Sequence, residues 1–159
     1  MDVNGFKGPN SEARNGKQYD VRSFKVAKFS KGCAGNNING FGCVYQLPSF
    51  SPIKAGSDEM KKWDPNWNKT EYASYDNYWA GAKKACDDIG MSLPDKSKLQ
   101  SLCEAGKKDS SLGLPTDGSF WSSSESSARA AHYGGFYSCV TYGSDGKYVR
   151  DNKVLCVGD

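Results

Sequence analysis

The stretch between Glu125 and Lys153 is rich in side chains that make contacts in binding surfaces. Tyrosine provides a large contact area with little rotamer entropy to lose, and arginine can donate two parallel hydrogen bonds to one acceptor group. This mixture is typical of antibody-like binding surfaces. It predicts a ligand-binding face made of Arg129, His132, Tyr133, Tyr137, Tyr142, Asp145, Tyr148, Arg150, Asp151 and Asn152. Alternation along a strand is the competing interpretation, and it would bury some of these tyrosines, Tyr137 foremost.

The sequence offers little that could perform catalysis. His132 is the only histidine, and no Gly-x-Ser-x-Gly motif surrounds the serines at 122–124. Paired carboxylates such as Asp87 and Asp88 are adjacent in sequence and point to different faces, unlike an acid and a base that converge on one bond. We therefore expect no catalytic residues.

Metal ligands are also sparse. The cysteines form no Cys-x-x-Cys pair and a single histidine accompanies them, which argues against a structural zinc site. Asp2, Asn4 and Asp20 have the oxygen ligands of a calcium loop, but the acidic residue at the twelfth position of an EF-hand is missing. A structural turn is the stronger interpretation, so we expect no cofactor, with calcium at these three residues as the weaker alternative.

Six cysteines, at positions 33, 43, 86, 103, 139 and 156, indicate three disulfides and an oxidising compartment. Six cysteines allow 15 pairings, and spacing alone does not select one of them. The chain begins Met1-Asp2-Val3 without the charged and apolar regions of an export signal. We therefore expect an extracellular protein whose native form has a longer N-terminal part.

Composition and charge exclude several classes of protein. No apolar run approaches the roughly 20 residues of a membrane span. The 4 Trp, 9 Tyr and 7 Phe, together with the cysteines, argue against disorder. The net charge is only +3 and the basic residues form isolated pairs, which predicts no nucleic-acid partner.

The chain divides into three zones. Residues 1–48 have short β-type runs between glycines and asparagines, and residues 49–75 are a connection in which Trp63 and Trp67 are expected to pin the chain. Residues 76–159 carry two helices and then strands, an order typical of an α+β fold. Strands are predicted at 120–123, 135–142 and 153–157, with a turn at 144–147.

Helical periodicity and capping residues define the two predicted helices. The first has Asp76 as N-cap and Gly90 as the left-handed residue after its end, and the second runs from the N-cap Asp95 to Gly106. The apolar spacing predicts buried faces made of Trp79, Ala82, Cys86 and Ile89 in the first helix and of Leu99, Leu102 and Cys103 in the second.

Four short motifs follow one another along the second half of the chain. They are Trp79-Ala80-x-Ala82-x-x-x-Cys86-x-x-x-Gly90-x-x-Leu93-Pro94, Leu99-x-x-Leu102, Phe120-Trp121-Ser122-Ser123-Ser124-Glu125 and Val154-Leu155-Cys156-Val157. In this order, residues 72–159 resemble a bacterial C-type lectin-like domain. The resemblance implies two helices and an antiparallel sheet, but the Glu-Pro-Asn and Trp-Asn-Asp signatures of calcium-dependent sugar binding are absent.

The same resemblance implies the disulfide pairing. It joins Cys86 in the first helix to Cys156 in the last strand. Cys33 with Cys43 then closes a short loop, which leaves Cys103 with Cys139. The formylglycine-generating enzymes share this topology and use cysteines, and they are the enzyme alternative to a binding domain.

Two further resemblances suggest a biological setting. The motifs at 121–125 and 153–159 are similar to those of variable proteins diversified by retroelements, which implies changeable residues at 126–152 on a fixed scaffold. Residues 2–10, Gly16 and Asp20-Val21 resemble the globular sheet of type IV pilins and pseudopilins, whose long N-terminal anchor helix is missing here.

Together these resemblances imply a non-catalytic, adhesin-type protein on a bacterial surface or pilus. Its partners would be a protein or glycan ligand and, through the missing helix, other pilin subunits. A structural minor pilin without its own ligand is the alternative.

Overall fold

The computed structural model describes residues 33–158, with only the backbone for residues 140–142. The helices are α1 Glu59–Trp63, α2 Tyr78–Asp88 and α3 Lys96–Lys108, with 3-10 turns at Trp67–Lys69 and Ser110–Leu112. The strands are β1 Asn36–Ile38, β2 Gly42–Gln46, β3 Ser119–Ser127, β4 Ala130–Gly135, β5 Val140–Gly146 and β6 Leu155–Val157. The predicted α+β class is confirmed. The calcium candidates Asp2, Asn4 and Asp20 and the pilin-like segment before residue 33 lie outside the described residues.

The strands form two antiparallel sheets of three strands each, ordered β1-β2-β6 and β3-β4-β5. In the first sheet Val44 of β2 faces Val157 of β6. The described part of the N-terminal zone, residues 33–48, therefore shares a sheet with the end of the chain. A bridge between Phe120 and Lys153 connects β3 to the segment before β6, and the amide of Trp121 donates to the carbonyl of Lys153 at 3.0 Å.

Helix α2 begins one residue later than predicted. Its N-cap is Asn77, whose side chain accepts a hydrogen bond from the amide of Ala80 at 2.8 Å. Asp76 does not cap the helix because its carboxylate accepts from the amide of Ala55 at 3.0 Å instead. Aspartate and asparagine have similar capping strength, so the neighbouring loop decides between them.

The helix ends also differ from the expectation. Gly90 has the predicted left-handed backbone, with φ of 75°. Ile89 is 40% exposed and does not belong to the buried face, because α2 ends at Asp88. Gly106 lies inside α3, which continues to Lys108, and its small size lets Leu114 pack against the helix.

The predicted strand at 135–142 is wrong, because residues 136–139 form a turn between β4 and β5. Phe136 is buried while Tyr137 is 75% exposed, so the pattern that resembles strand alternation comes from a turn. The predicted turn at 144–147 is also wrong. Asp145 and Gly146 continue β5 because they pair with β4, and the turn follows at 147–148.

Three disulfides connect the elements, and all three pairings agree with the expectation. Cys86–Cys156 joins α2 to β6, Cys103–Cys139 joins α3 to the turn after β4, and Cys33–Cys43 closes a short loop. They indicate an oxidising, extracellular-type environment. Within residues 33–158, no helix combines the length and apolar character needed to cross a membrane.

The core consists of three apolar clusters. The first packs α3 against strands of both sheets, and the second surrounds Cys86 and Cys156 with Trp79 and Trp121. The predicted buried residues of α3, Leu99, Leu102 and Cys103, are confirmed. The third cluster lies under the 49–75 connection and contains the fully buried Trp67, which pins that connection as expected.

Candidate functional site

An open groove runs between residues 46–50 and residues 150–154 and encloses about 530 Å³. The chain before residue 48 is held here because the amide of Leu47 donates to the carbonyl of Val154 at 3.0 Å. Three of the residues predicted for the binding face, Arg150, Asp151 and Asn152, line this groove. Phe50 and Tyr78 supply the aromatic part of the wall.

Tyr78 is the ring that organises the groove. It is the first residue of α2, and its amide donates to the carbonyl of Lys147 at 2.7 Å. Phe50 meets the Tyr78 ring edge to face, with ring centroids 6.2 Å apart. The guanidinium carbon of Arg150 lies 5.9 Å from the centroid of Tyr78, within the range of a cation–π interaction.

Asn152 lines the groove but is almost fully buried, so its role is to hold the groove segment in place. Its side chain is 4% exposed, and its amide nitrogen donates to a carboxylate oxygen of Asp145 at 3.0 Å. This hydrogen bond ties the groove segment to the end of β5. Two predicted contact residues, Asn152 and Asp145, therefore position the residues beside them.

Two cations and one carboxylate are exposed along the groove. Arg150, Lys153 and Asp151 form no ion pair among the described side chains. Nearby, the pKa of Asp76 is held below its usual value, chiefly because the amide of Ala55 donates to its carboxylate. Lys54 adds a hydrogen bond and a favourable charge, and the charge of Arg150 makes the smallest contribution. An arginine beside two rings can bind a planar anionic group and stack the rest of the ligand.

A second aromatic patch consists of Tyr72, Tyr75 and Tyr148. The Tyr148 ring lies 4.8 Å from Tyr72 and 5.3 Å from Tyr75, and Tyr75 is 52% exposed. Gly146 permits this packing, because a Cβ there would lie 2.6 Å from the Tyr148 ring. Sequence analysis missed Tyr72 and Tyr75, although the aromatic content of the 49–75 connection was a signal for them.

Arg129 and Tyr137 occupy separate exposed positions. Arg129 pairs with Glu71 at 2.8 Å, and both side chains are more than half exposed. Tyr137 stands on the turn after β4, where the ammonium of Lys107 lies 5.7 Å from its ring. The competing interpretation, in which strand alternation buries Tyr137, is therefore wrong.

Two further predicted residues, His132 and Tyr133, are less exposed. His132 places a ring nitrogen 3.1 Å from the carbonyl of Gly143, beside a depression of about 560 Å³ on the face of α3. Tyr133 packs against the cluster around Trp121. Tyr142 lies in β5, where the structure describes only the backbone. The nine predicted residues whose side chains are described thus have different neighbours, and three of them meet in the groove.

Lys147, whose carbonyl accepts the hydrogen bond from the amide of Tyr78, has a fully buried side chain. The ammonium of Lys147 donates to Asp64 at 2.9 Å, to Glu125 at 2.5 Å and to the carbonyl of Ala128 at 2.8 Å. It also lies 4.3 Å from the ring centroid of Trp79. Lysine is almost never fully buried without partners, so no sequence pattern predicts such a position. We refer to Lys147, Asp64 and Glu125 as the buried triad.

The surroundings of the buried triad are polar but well paired. Asp64 is 2% exposed and accepts a second hydrogen bond from the side chain of Asn77 at 2.8 Å. Lys83 approaches the Trp79 ring at 3.8 Å, and partial burial lowers the pKa of its ammonium. The capping residue of α2 is thus connected directly to the buried triad.

All six cysteines are paired in disulfides, and none is a free thiol. In the described part of the chain, no group of three His, Cys, Asp or Glu side chains is arranged to hold a metal ion. No protein-family model, curated protein or solved structure matches the chain.

Proposed function

We propose that the chain is a non-catalytic extracellular ligand-binding protein of adhesin or receptor type, with a C-type lectin-like fold. It is displayed on a bacterial surface or type IV pilus and belongs to the variable proteins of diversity-generating retroelements. The observation that carries the proposal is the groove, in which Arg150 stands without an ion-pair partner among the described side chains, beside Tyr78 and Phe50. The link from Cys86 in α2 to Cys156 in β6 supports the proposed fold.

The groove is suited to binding because its walls are fixed before a ligand arrives. The Asn152–Asp145 hydrogen bond and the Cys86–Cys156 disulfide hold the segment that carries Arg150. A preorganised surface loses less conformational entropy on association than a loop that must be ordered. Tyrosine and arginine are also the residues that most often dominate binding energy.

The test uses defined probes, because the ligand is unidentified. The full chain is screened against an array of defined glycans and a phage library of random peptides. Probes that bind are then measured with Arg150→Ala, which should weaken binding by about tenfold or more. Arg129→Ala is the matched control, because it removes the same charge from the Glu71 pair outside the groove. Binding that survives Arg150→Ala but not Arg129→Ala would contradict the groove as the site.

The proposed diversification of residues 126–152 is tested separately. Sequences of the same locus from related isolates should differ within 126–152 at exposed positions such as Arg129, Tyr137 and Arg150. Lys147 and Asn152 should stay constant, because both are buried and hydrogen-bonded. Differences spread evenly over the chain would contradict this part of the proposal.

A further inference from the structure

The buried triad brings an amine and two carboxyl groups into direct contact. The amine nitrogen of Lys147 lies 2.9 Å from one oxygen of Asp64 and 2.5 Å from one oxygen of Glu125. With a C–O bond of about 1.2 Å, the nitrogen lies at most about 4 Å from the carboxyl carbon of Asp64. This is close to the separation of about 3–3.5 Å at which reacting atoms meet in productive geometries.

The burial of the amine and of the Asp64 carboxyl group favours an uncharged product. Lys147 is 0% exposed and Asp64 is 2% exposed, and the Trp79 ring forms part of the wall. Burial removes an ion from its hydration shell, whereas the product of a condensation between an amine and a carboxyl group is uncharged. An amide has no charge to hydrate, so burial stabilises it relative to the pair of ions.

We propose that Lys147 and Asp64 form an intramolecular isopeptide bond between Nζ and Cγ, and that Glu125 transfers the protons. Glu125 contacts the reacting nitrogen, and its side chain is 41% exposed, which gives the released water a route to solvent. This inference does not depend on the binding function of the groove.

The reaction is a condensation and needs no oxidant or other co-reactant. One proton moves from the ammonium of Lys147 to the carboxylate of Asp64, with Glu125 as carrier. The nitrogen lone pair then forms a bond to Cγ, and the carbonyl electron pair moves onto oxygen. Glu125 takes a second proton from Nζ and delivers it to the departing hydroxyl. The C–O bond breaks, the carbonyl re-forms, one water leaves, and Glu125 returns to its starting protonation state.

The first experiment is the intact mass of the full native chain after complete reduction and denaturation. We expect a mass about 18 Da below that of the sequence, equal to one lost water. Proteolysis should then yield one branched fragment that joins the peptide containing Asp64 to the peptide containing Lys147. The full sequence mass after prolonged incubation of the folded chain would overturn the proposal.

The fragment map also distinguishes the isopeptide bond from a second reaction that removes one water, the cyclisation of an aspartate. Asp117-Gly118 and Asp145-Gly146 are sequences in which an aspartate can cyclise onto the following amide. Such a product gives the same mass change within a single peptide and no branched fragment. A loss confined to either of these sequences would therefore overturn the proposal.

Glu125→Gln tests the proton carrier. Glutamine keeps the shape and can still accept a hydrogen bond from Lys147, so the variant should fold but keep the full sequence mass. Glu71→Gln is the matched control, because Glu71 is an exposed carboxylate paired with Arg129 and should not affect the bond. Bond formation at the wild-type rate in Glu125→Gln would overturn the role of Glu125. The wild-type mass decides the proposal even if this variant fails to fold.

Discussion

Lys147 and Arg150 are basic residues three positions apart, but their environments are opposite. Lys147 is fully buried and donates to three oxygen acceptors, whereas Arg150 is exposed and has no ion pair among the described side chains. A buried cation without partners is very costly, while an exposed one is hydrated and free to bind a ligand. Burial therefore gives the two basic residues different roles: Lys147 stabilises the fold, and Arg150 faces the groove.

Removal of Lys147 should produce the largest effect and test this contrast directly. Lys147→Ala leaves Asp64 buried without the side chain that it contacts, and the free energy of unfolding should fall by about 3–5 kcal/mol. Urea denaturation followed by tryptophan fluorescence measures the change. Lys61→Ala, which removes an exposed lysine, should change the value by less than about 0.5 kcal/mol. Equal effects of the two substitutions would show that burial does not separate them.

Loss of the α2 cap should have the next largest effect. Asn77→Ala removes the helix cap and the donor to Asp64, so we expect a loss of about 2 kcal/mol in the free energy of unfolding. Asp95→Ala removes only a cap, at the start of α3, and should cost about 1 kcal/mol. The difference between the two variants in denaturation experiments measures the coupling of the cap to the buried triad. No difference would contradict that coupling.

Arg150→Ala should barely change stability. The side chain is exposed, so we expect a shift within about 0.5 kcal/mol in the free energy of unfolding while probe binding weakens. Thermal denaturation measured beside the binding assays provides the check. A large loss of stability would mean that Arg150 belongs to the structural part of the molecule and would remove the contrast with Lys147.

The smallest expected effect is a pH dependence at the edge of the groove. The pKa of Asp76 is lowered from 3.8, chiefly by the hydrogen bond from the amide of Ala55. A lowered folded-state pKa stabilises the folded chain above the unfolded-state pKa, and this contribution is lost as the pH falls through the folded-state pKa. Asp76→Asn should therefore reduce the acid sensitivity of unfolding below pH 3.8. An unchanged acid transition would contradict the assignment.

The helices and disulfides could be predicted because their signals are local or carried by ordered motifs. The faces at Trp79, Cys86, Leu99 and Leu102 follow the helical period, and the structure buries all four. The choice between Asp76 and Asn77 as cap depended on Ala55, which is distant in sequence. A hydrogen bond to a residue distant in sequence decides which side chain caps the helix, and the local sequence pattern cannot show it.

The site was predicted only in part for the same reason. The tyrosine-rich composition predicted a binding face within residues 126–152. Composition alone does not indicate which side chains line the same cavity. Phe50 and Tyr78 reach the groove from earlier parts of the chain. The turn at 136–139 carries aromatic residues that resemble a strand, and Cys139 there has φ of 58°, a conformation that a sequence pattern for a strand cannot indicate.

The disulfides also determine how the chain transmits force. If residues 33 and 158 are pulled apart, tension passes from Cys33 directly to Cys43 and from Cys86 directly to Cys156. Where the disulfides are the only cross-links, as expected in Glu125→Gln, the loop 87–155 is bypassed and bears no load, although it contains Arg150, Asp151 and Asn152. Only the chain between Cys43 and Cys86 can then lengthen, so Phe50 and Tyr78 would be drawn away first. Traction on this form of the molecule would therefore open one wall of the groove and leave the other intact.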